Sequence, residues 1–119
     1  MNIEELRTYC LNKKGVTESF PFDETTLVFK VMNKMYALTD IEDDLAINLK
    51  FEPEDALAAR EAYSSVQPGY HMNKKYWNTV QIDGSIPVSQ IKQWIDDSYA
   101  LVIASLPKKT QQAWSELPD

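Results

Sequence analysis

The chain has 119 residues, of which 44% are hydrophobic and 25% charged, and its 12 basic and 18 acidic side chains give a net charge of −6. These values predict a single soluble domain over residues 1–119, and no apolar run reaches the roughly 20 residues of a membrane span. The acidic N-terminus lacks a secretory pattern, and a lone cysteine excludes an internal disulfide, so we expect a cytoplasmic protein. One cysteine and one histidine argue against a structural metal site, and the acidic balance argues against strong non-specific nucleic-acid binding.

The first half of the sequence predicts one helix followed by three strands. Residues 2 to 14 have the apolar spacing of an amphipathic helix, with a capping box at its start and Gly15 at its end. A connector follows, and then three strand-like segments alternate apolar and polar residues: Thr25–Met32, Met35–Asp40 and Leu45–Lys50. We expect a tight turn at Asn33-Lys34, because asparagine tolerates a positive φ. The alternation predicts an antiparallel sheet with one buried and one wetter face.

The second half predicts a helix from Pro53 to Tyr63, two strands and a long helix. The short strand is expected near Tyr70–Met72, paired with Tyr76–Asp83, and the long helix runs from Pro87 to Pro107 before a short terminal helix. The resulting order, α-β-β-β-α-β-β-α, predicts a two-layer α+β domain. Its antiparallel sheet has about five strands, and its helices lie on one face.

The segment after Pro68-Gly69 carries the most distinctive chemistry of the chain. Within ten residues it holds three aromatic residues, the only histidine, two lysines and two asparagines. Cations interleaved with aromatic faces and amides suit phosphates, exposed bases or a flat acidic partner.

The amino-acid sequence of this segment and of several strands resembles the MmcQ/YjbR family of small bacterial proteins. The matching pieces are Pro21-Phe22-Asp23, Phe29-Lys30-Val31, Lys34-Met35, Asn48-Leu49-Lys50, Pro68 to Lys74, Trp77-Asn78-Thr79 and Ser98-Tyr99 with Leu101-Val102. The resemblance implies a compact α/β layer fold, described as CyaY-like or secretion-chaperone-like, and a "double-wing" DNA-binding function.

We therefore expect a nucleic-acid contact surface made from the strand hairpins and the segment from His71 to Asn78. Its cations are Lys30, Lys34, Lys50, Lys74 and Lys75. The alternative interpretation is that these lysines are solvated positions that protect sheet edges. His71, Asn73 and Asn78 are candidates for recognising bases or phosphates, although Asn73 can instead cap a tight turn. Trp77 is expected on the wetter face, either as an exposed platform or covered by the terminal helix through Trp114.

The sequence does not indicate an enzyme, a metal site or a cofactor. Ser98 falls on the apolar stripe of the long helix, where no base is placed to activate it. Three glycines, none in a phosphate-binding motif, exclude a phosphate-cradling loop. The alternative to weak, salt-sensitive DNA binding is a peptide- or protein-binding adaptor. A small-molecule pocket near Tyr70, His71 and Tyr99 is a third interpretation.

Overall fold

A computed structural model describes residues 1–70 and 72–119, and its elements follow the predicted order with one strand more than expected. The four helices are α1 (Ile3–Leu11), α2 (Pro53–Ala62), α3 (Val88–Ser105) and α4 (Lys108–Ser115). The six strands are β1 (Val16–Ser19), β2 (Thr26–Val31), β3 (Lys34–Asp40), β4 (Ala46–Lys50), β5 (Val66–Pro68) and β6 (Trp77–Gln81).

The strands form one antiparallel sheet in the order β1-β2-β3-β4-β6-β5. Helix α3 packs on β2, β3 and β4, while α2 packs on β5 and β6 and α1 on β1. The main core lies between these helices and one face of the sheet, which contributes Leu27, Phe29, Val31, Ile47, Leu49 and Val80. The predicted α+β class and the helices on one side of an antiparallel sheet are thus confirmed.

Two predicted strand positions are wrong. The segment expected to be a connector forms the edge strand β1, whose partners in β2 run from Val16↔Val31 to Ser19↔Val28. The short strand expected at Tyr70–Met72 lies four residues earlier, at Val66–Pro68, where it pairs with β6. Proline is tolerated there because β5 is an edge strand. The Gly69 N–H after it still donates to the Trp77 carbonyl of β6 at 2.8 Å.

Local backbone chemistry explains two element boundaries. The Asn2 side chain accepts a hydrogen bond from the Glu5 N–H, and the Glu5 carboxylate accepts one from the Asn2 N–H, as predicted for the start of α1. The β2–β3 turn is centred on Met32-Asn33 and not on the predicted Asn33-Lys34. Both central residues have positive φ, 49° and 69°, as a type I′ hairpin requires.

Ser98 joins α3 to the sheet at an irregularity in β3. Phe29 pairs with Ala37 but Lys30 pairs with Met35, so Tyr36 is an extra, bulged residue. The Ser98 hydroxyl donates to the Tyr36 carbonyl at 2.6 Å and accepts from the Lys50 N–H at 2.9 Å. A side chain of α3 therefore completes the hydrogen bonding between β3 and β4 where the bulge interrupts it.

The face of the sheet away from the helices is the wetter one, as predicted, but part of it is buried. Val28, Leu38 and Trp77 form a second buried cluster there, packed against Met35, Met72 and Tyr76. We call this side of the sheet the open face. None of the helices in the described part of the chain combines the length and apolar content needed to span a lipid bilayer.

Candidate nucleic-acid interface

The antiparallel topology brings the predicted lysines to one end of the sheet. Strand β2 ends and β3 begins at the Met32-Asn33 turn, and β4 ends and β6 begins beside it. Lys30, Lys34 and Lys50 lie at these strand ends, and the loop before β6 adds Lys74 and Lys75. We call these five lysines the basic end. They come from separate parts of the sequence, so the fold is what assembles them.

Two of these lysines converge on one aromatic ring. The Nζ of Lys50 lies 6.0 Å from the centroid of the Tyr76 ring, and the Nζ of Lys75 lies 5.6 Å from it. Lys50 pairs with Trp77 across β4 and β6, which puts it on the open face. Lys30 is on the same face, because it is two residues beyond Val28 in β2. The surface therefore combines ammonium groups with a half-buried tyrosine.

Lys74 and Asn73 shape the loop before β6. The Lys74 Nζ donates to the Gly69 carbonyl at 3.1 Å, and the Asn73 carboxamide accepts from the Lys75 N–H at 3.0 Å. The carbonyl of Asn73 also accepts from the Trp77 N–H at 2.9 Å. Asn73 thus has the turn-capping role that was the alternative to ligand recognition. His71 lies outside the described residues, and its predicted contact stays a prediction.

Asn78 is buried in the helical layer and is not available to a ligand, which corrects its predicted role. Its side chain is 0% exposed, its Nδ2 donates to the Ala56 carbonyl at 3.1 Å, and its Oδ1 accepts from the Arg60 Nε at 2.6 Å. Sequence alternation correctly grouped it with Val80 on the core side. The contact to nucleic acid was wrong because both ends of the amide are already satisfied.

Trp77 faces the open side of the sheet, as predicted, but neither proposed environment is correct. It is 9% exposed, so it is not a platform, and it is covered by the open-face cluster and not by α4. Trp114 instead packs edge-on against Tyr99 and donates to the Tyr99 hydroxyl at 2.9 Å. The backbone of Gly69 passes close to Trp77, where an added Cβ would lie 2.9 Å from the Trp77 Cβ.

Arg60 is a residue of this region that sequence reasoning missed. Besides Asn78, its guanidinium donates to the carbonyl of Lys74, so it fastens the loop before β6 onto helix α2. Its place in an alanine-rich helix gave no sign of this role. The only available signal was that a lone arginine follows several small residues, which is also typical of a solvated helix face.

The other end of the sheet is acidic. Asp40 ends β3, and the loop that follows adds Glu42, Asp43 and Asp44. Asp83 follows β6 on the same side, since the Ile82 N–H donates to the Leu45 carbonyl. Hydrogen bonds from Ser85, and then from Ser65, lower the pKa of Asp83 to about 2, so it is ionised at neutral pH. The net charge of −6 is thus unevenly distributed along the strand direction.

The basic end is bounded by carboxylates on its helical side. Helix α2 begins directly after Lys50, and its first turn carries Glu54 and Asp55. These acids complement the positive end of the helix dipole. The lysines of this end are therefore flanked by acidic side chains where the sheet meets α2.

Three other chemically reactive side chains of the described residues, Ser98, Tyr99 and Cys10, are buried or hydrogen-bonded within the protein. Ser98 is fully buried and uses its hydroxyl in the sheet, and the Tyr99 hydroxyl donates to the Lys14 carbonyl. Burial raises the pKa of the Cys10 thiol to about 12. Among the described residues, no group of three His, Cys, Asp or Glu side chains is placed to hold a metal ion.

The fold and this site define a small two-layer α+β domain with a cluster of lysines at one end of its sheet. The family model YjbR matches residues 11–101, so the chain belongs to the YjbR family. The "Uncharacterized protein YjbR" of Escherichia coli strain K12 is 36% identical over 118 residues, covering 98% of this chain and 100% of that protein. The "Uncharacterized protein YbdF" of Escherichia coli O157:H7 is 36% identical over 92% of this chain and 90% of its own length.

Solved structures of similar proteins share the fold. The crystal structure of Deinococcus radiodurans protein DR2400, with family-model domain DUF419, has a TM-score of 0.91 and 41% identity, covering 99% of this chain and 90% of that one. A crystal structure from Pseudomonas syringae has a TM-score of 0.72 and 29% identity, covering 85% of this chain and 98% of that one. The predicted family is thereby confirmed, and these names assign no activity to it.

Proposed function

We propose that this protein is a DNA-binding module that contacts phosphates with the basic end of its sheet. The observation that carries the proposal is the gathering of lysines from four chain segments around the β2–β3 hairpin and Tyr76. In the proposed mode Lys30, Lys34, Lys50 and Lys75 contact phosphates, and the hairpin projects toward a groove. The proposed function is binding and not catalysis.

The charge distribution supports weak and orientation-dependent binding. An overall charge of −6 repels a polyanion, but the acidic loops lie at the opposite end of the strands from the lysines. DNA approaching the basic end therefore meets attraction first, while the acidic end disfavours every other orientation. Four phosphate contacts on duplex DNA predict that log Kd rises with log salt concentration with a slope of about 3.6.

The test compares two double variants of equal net charge. Lys34→Glu/Lys75→Glu alters two exposed lysines of the basic end, whereas Lys108→Glu/Lys109→Glu alters two exposed lysines at the start of α4. The binding of fluorescently labelled duplex and single-stranded DNA is measured by anisotropy at about 50 and 200 mM salt, a range over which phosphate contacts weaken strongly.

We expect wild-type protein and the α4 variant to bind with similar, salt-sensitive affinity, and the basic-end variant to lose binding. Absence of binding by the wild type at low salt would refute the proposal. Equal weakening of both double variants would refute it as well, because the effect would then come from net charge and not from the basic end.

A further inference from the structure

A long groove separates the two helices that cover the centre of the sheet. Because α2 packs on β5 and β6 while α3 packs on β2, β3 and β4, the space above the β4–β6 boundary is left open. The groove has a volume of about 770 Å³. It lies in the helical layer, on the opposite side of the sheet from the open face, and Lys50 is the one lining residue that the DNA-binding proposal also uses.

The walls of the groove are continuous helix faces. On α3 they are formed by Gln90, Trp94, Asp97, Leu101 and Ala104, which recur every three or four residues. The 14 steps from Gln90 to Ala104 correspond to about 21 Å of helix. On the facing side, α2 contributes Ala58 and Ala62. The groove is therefore elongated, and its length matches a partner helix of about four turns.

The groove surface is mixed, and its apolar part is made of aromatic rings and small side chains that allow close approach. Its base carries Phe51, Tyr63 and Trp94, and the Trp94 ring meets each of the other two edge-on at a centroid distance of 5.7 Å. Exposed alanines line both walls, including Ala58 on α2 and Ala100 on α3. Small side chains let the backbone of a second helix come near, and the aromatic rings provide contact area for its apolar residues.

The charges around the groove select the chemistry of the occupant. Glu52 and Asp55 stand at one end of it and Asp97 on the α3 wall, so three carboxylates border the apolar surface. The one lysine of the lining, Lys50, has its ammonium group near the Tyr76 ring. A partner with lysines or arginines beside its apolar face would complement these acids.

We propose that the α2–α3 groove binds an amphipathic helix of a partner protein whose apolar stripe is flanked by basic residues. The apolar stripe would lie over Trp94 and the alanines, and its cations would face Glu52, Asp55 and Asp97. Such recognition follows the general helix-in-groove mode, in which residues at positions i, i+3, i+4 and i+7 provide the anchors. This site and the basic end share Lys50, but their other residues differ and lie on opposite sides of the sheet.

The test uses a labelled model peptide of about 15 residues, or about 22 Å as a helix, with leucines at the anchor positions and lysines beside them. Two control peptides keep the leucines: one replaces the lysines by glutamates, and the other carries two central prolines. Binding is followed by fluorescence anisotropy. The site is located from the NMR chemical-shift changes of the alanine methyl groups of the folded protein when the peptide is added.

Three protein variants accompany the wild type. Ala58→Gln/Ala100→Gln fills the groove, Asp55→Asn/Asp97→Asn removes two of its charges, and Ala113→Gln places the same glutamine on an exposed position of α4 outside it. Thermal melts verify that each variant is folded. We expect the lysine peptide to bind wild type and Ala113→Gln equally, with affinity reduced about tenfold or more by either double variant, the effect of roughly 1.4 kcal/mol.

The expected shifts fall on the methyl groups of Ala58, Ala62, Ala100 and Ala104. Absence of binding to wild type would overturn the proposal, as would equal binding of the filled-groove variant. Equal binding of the glutamate peptide would exclude the basic partner, and equal binding of the proline peptide would exclude a helical one. Each protein variant is tested for both DNA and peptide binding. A variant that loses only one of the two activities shows that the DNA-binding proposal and the helix-binding proposal can fail separately.

Discussion

The side-chain amide of Asn78 shows how one residue can belong to a binding motif and still have an internal role. It sits between the carbonyl of Ala56 and the guanidinium of Arg60, and Arg60 in turn holds the Lys74 carbonyl. Asn78 therefore influences the loop before β6 indirectly, through its hydrogen bond to Arg60. Its effect on a ligand would pass through the position of that loop, since its own atoms are buried.

We expect Asn78→Ala to lower the free energy of unfolding by about 2 kcal/mol, because the buried hydrogen bond to the Ala56 carbonyl is lost and the Arg60 guanidinium loses an acceptor. Urea denaturation at neutral pH measures the change. Asn12→Ala, at an exposed position after α1, provides the control and should be nearly neutral. An unchanged stability for Asn78→Ala would contradict this structural role.

At the scale of elements, the sheet depends on a side chain from the layer above it. The bulge at Tyr36 leaves one carbonyl of β3 and one N–H of β4 without strand partners, and the Ser98 hydroxyl bonds both. This explains why a serine lies on the apolar stripe of α3. The same position that invites a catalytic interpretation is a structural link between a helix and two strands.

We expect Ser98→Ala to destabilise the protein by about 2–4 kcal/mol, since each of the two backbone groups left unpaired costs about 1–3 kcal/mol. Hydrogen exchange gives a more local measurement, because the Lys50 N–H loses its acceptor and should exchange faster relative to other amides of β4. Ser105→Ala, on the exposed last turn of α3, is the matched control. Unchanged protection of the Lys50 amide would disprove the bridging role.

Sequence patterns predicted the elements that depend on residues close together in the chain. They missed the features that depend on contacts with distant segments. The Asn2–Glu5 capping box and the alternation of Leu27, Phe29 and Val31 act within a few residues, and both were predicted correctly. Strand β1 was missed because Val16–Ser19 is short and mostly polar, and only pairing with β2 makes it a strand. The hairpin was displaced by one residue because Met32, at a φ of 49°, adopts a conformation rarely expected of methionine.

The candidate site likewise has features that the local sequence predicts and features that depend on distant segments. Alternation placed Asn78 and Trp77 on opposite faces of β6 correctly, because that inference needs only the period of a strand. It could not show that Arg60 would reach Asn78 or that Met35 and Met72 would cover Trp77, because those contacts join distant segments. The common location of the lysines at one sheet end depended on strand order, which the sequence does not display.

At the scale of the whole molecule, a buried tyrosine hydroxyl and a buried cysteine thiol make the free energy of unfolding sensitive to alkaline pH. Tyr36 and Cys10 are both fully buried, and the Tyr36 hydroxyl donates to the Cys10 carbonyl at 2.5 Å. Burial raises the pKa of the Cys10 thiol to about 12 and raises the pKa of Tyr36 well above its ordinary value of 10.0. In the folded protein both groups therefore stay protonated at pH values where an unfolded chain loses these protons.

The sign of the pH dependence follows from this difference. Above about pH 9 the unfolded chain binds fewer protons than the folded one, so the free energy of unfolding falls as the pH rises. Each group that ionises only after unfolding contributes a slope of about 1.4 kcal/mol per pH unit. The stabilisation is complete below pH 9, where both groups are protonated in both states, and it is lost progressively toward pH 12.

We expect urea denaturation between pH 7 and 11 to show a level profile followed by this decline, and Tyr36→Phe to change both parts of the curve. At pH 7 the variant should be less stable by about 1 kcal/mol, because the hydrogen bond to the Cys10 carbonyl is lost. Above pH 10 its stability should fall less steeply than that of the wild type, since one titrating group is gone. Repeating the series at high salt screens the general repulsion of an anionic protein. Parallel curves for the two proteins above pH 10 would show that Tyr36 ionises as readily in the folded state as in the unfolded chain, contrary to its burial beneath α1 and α3.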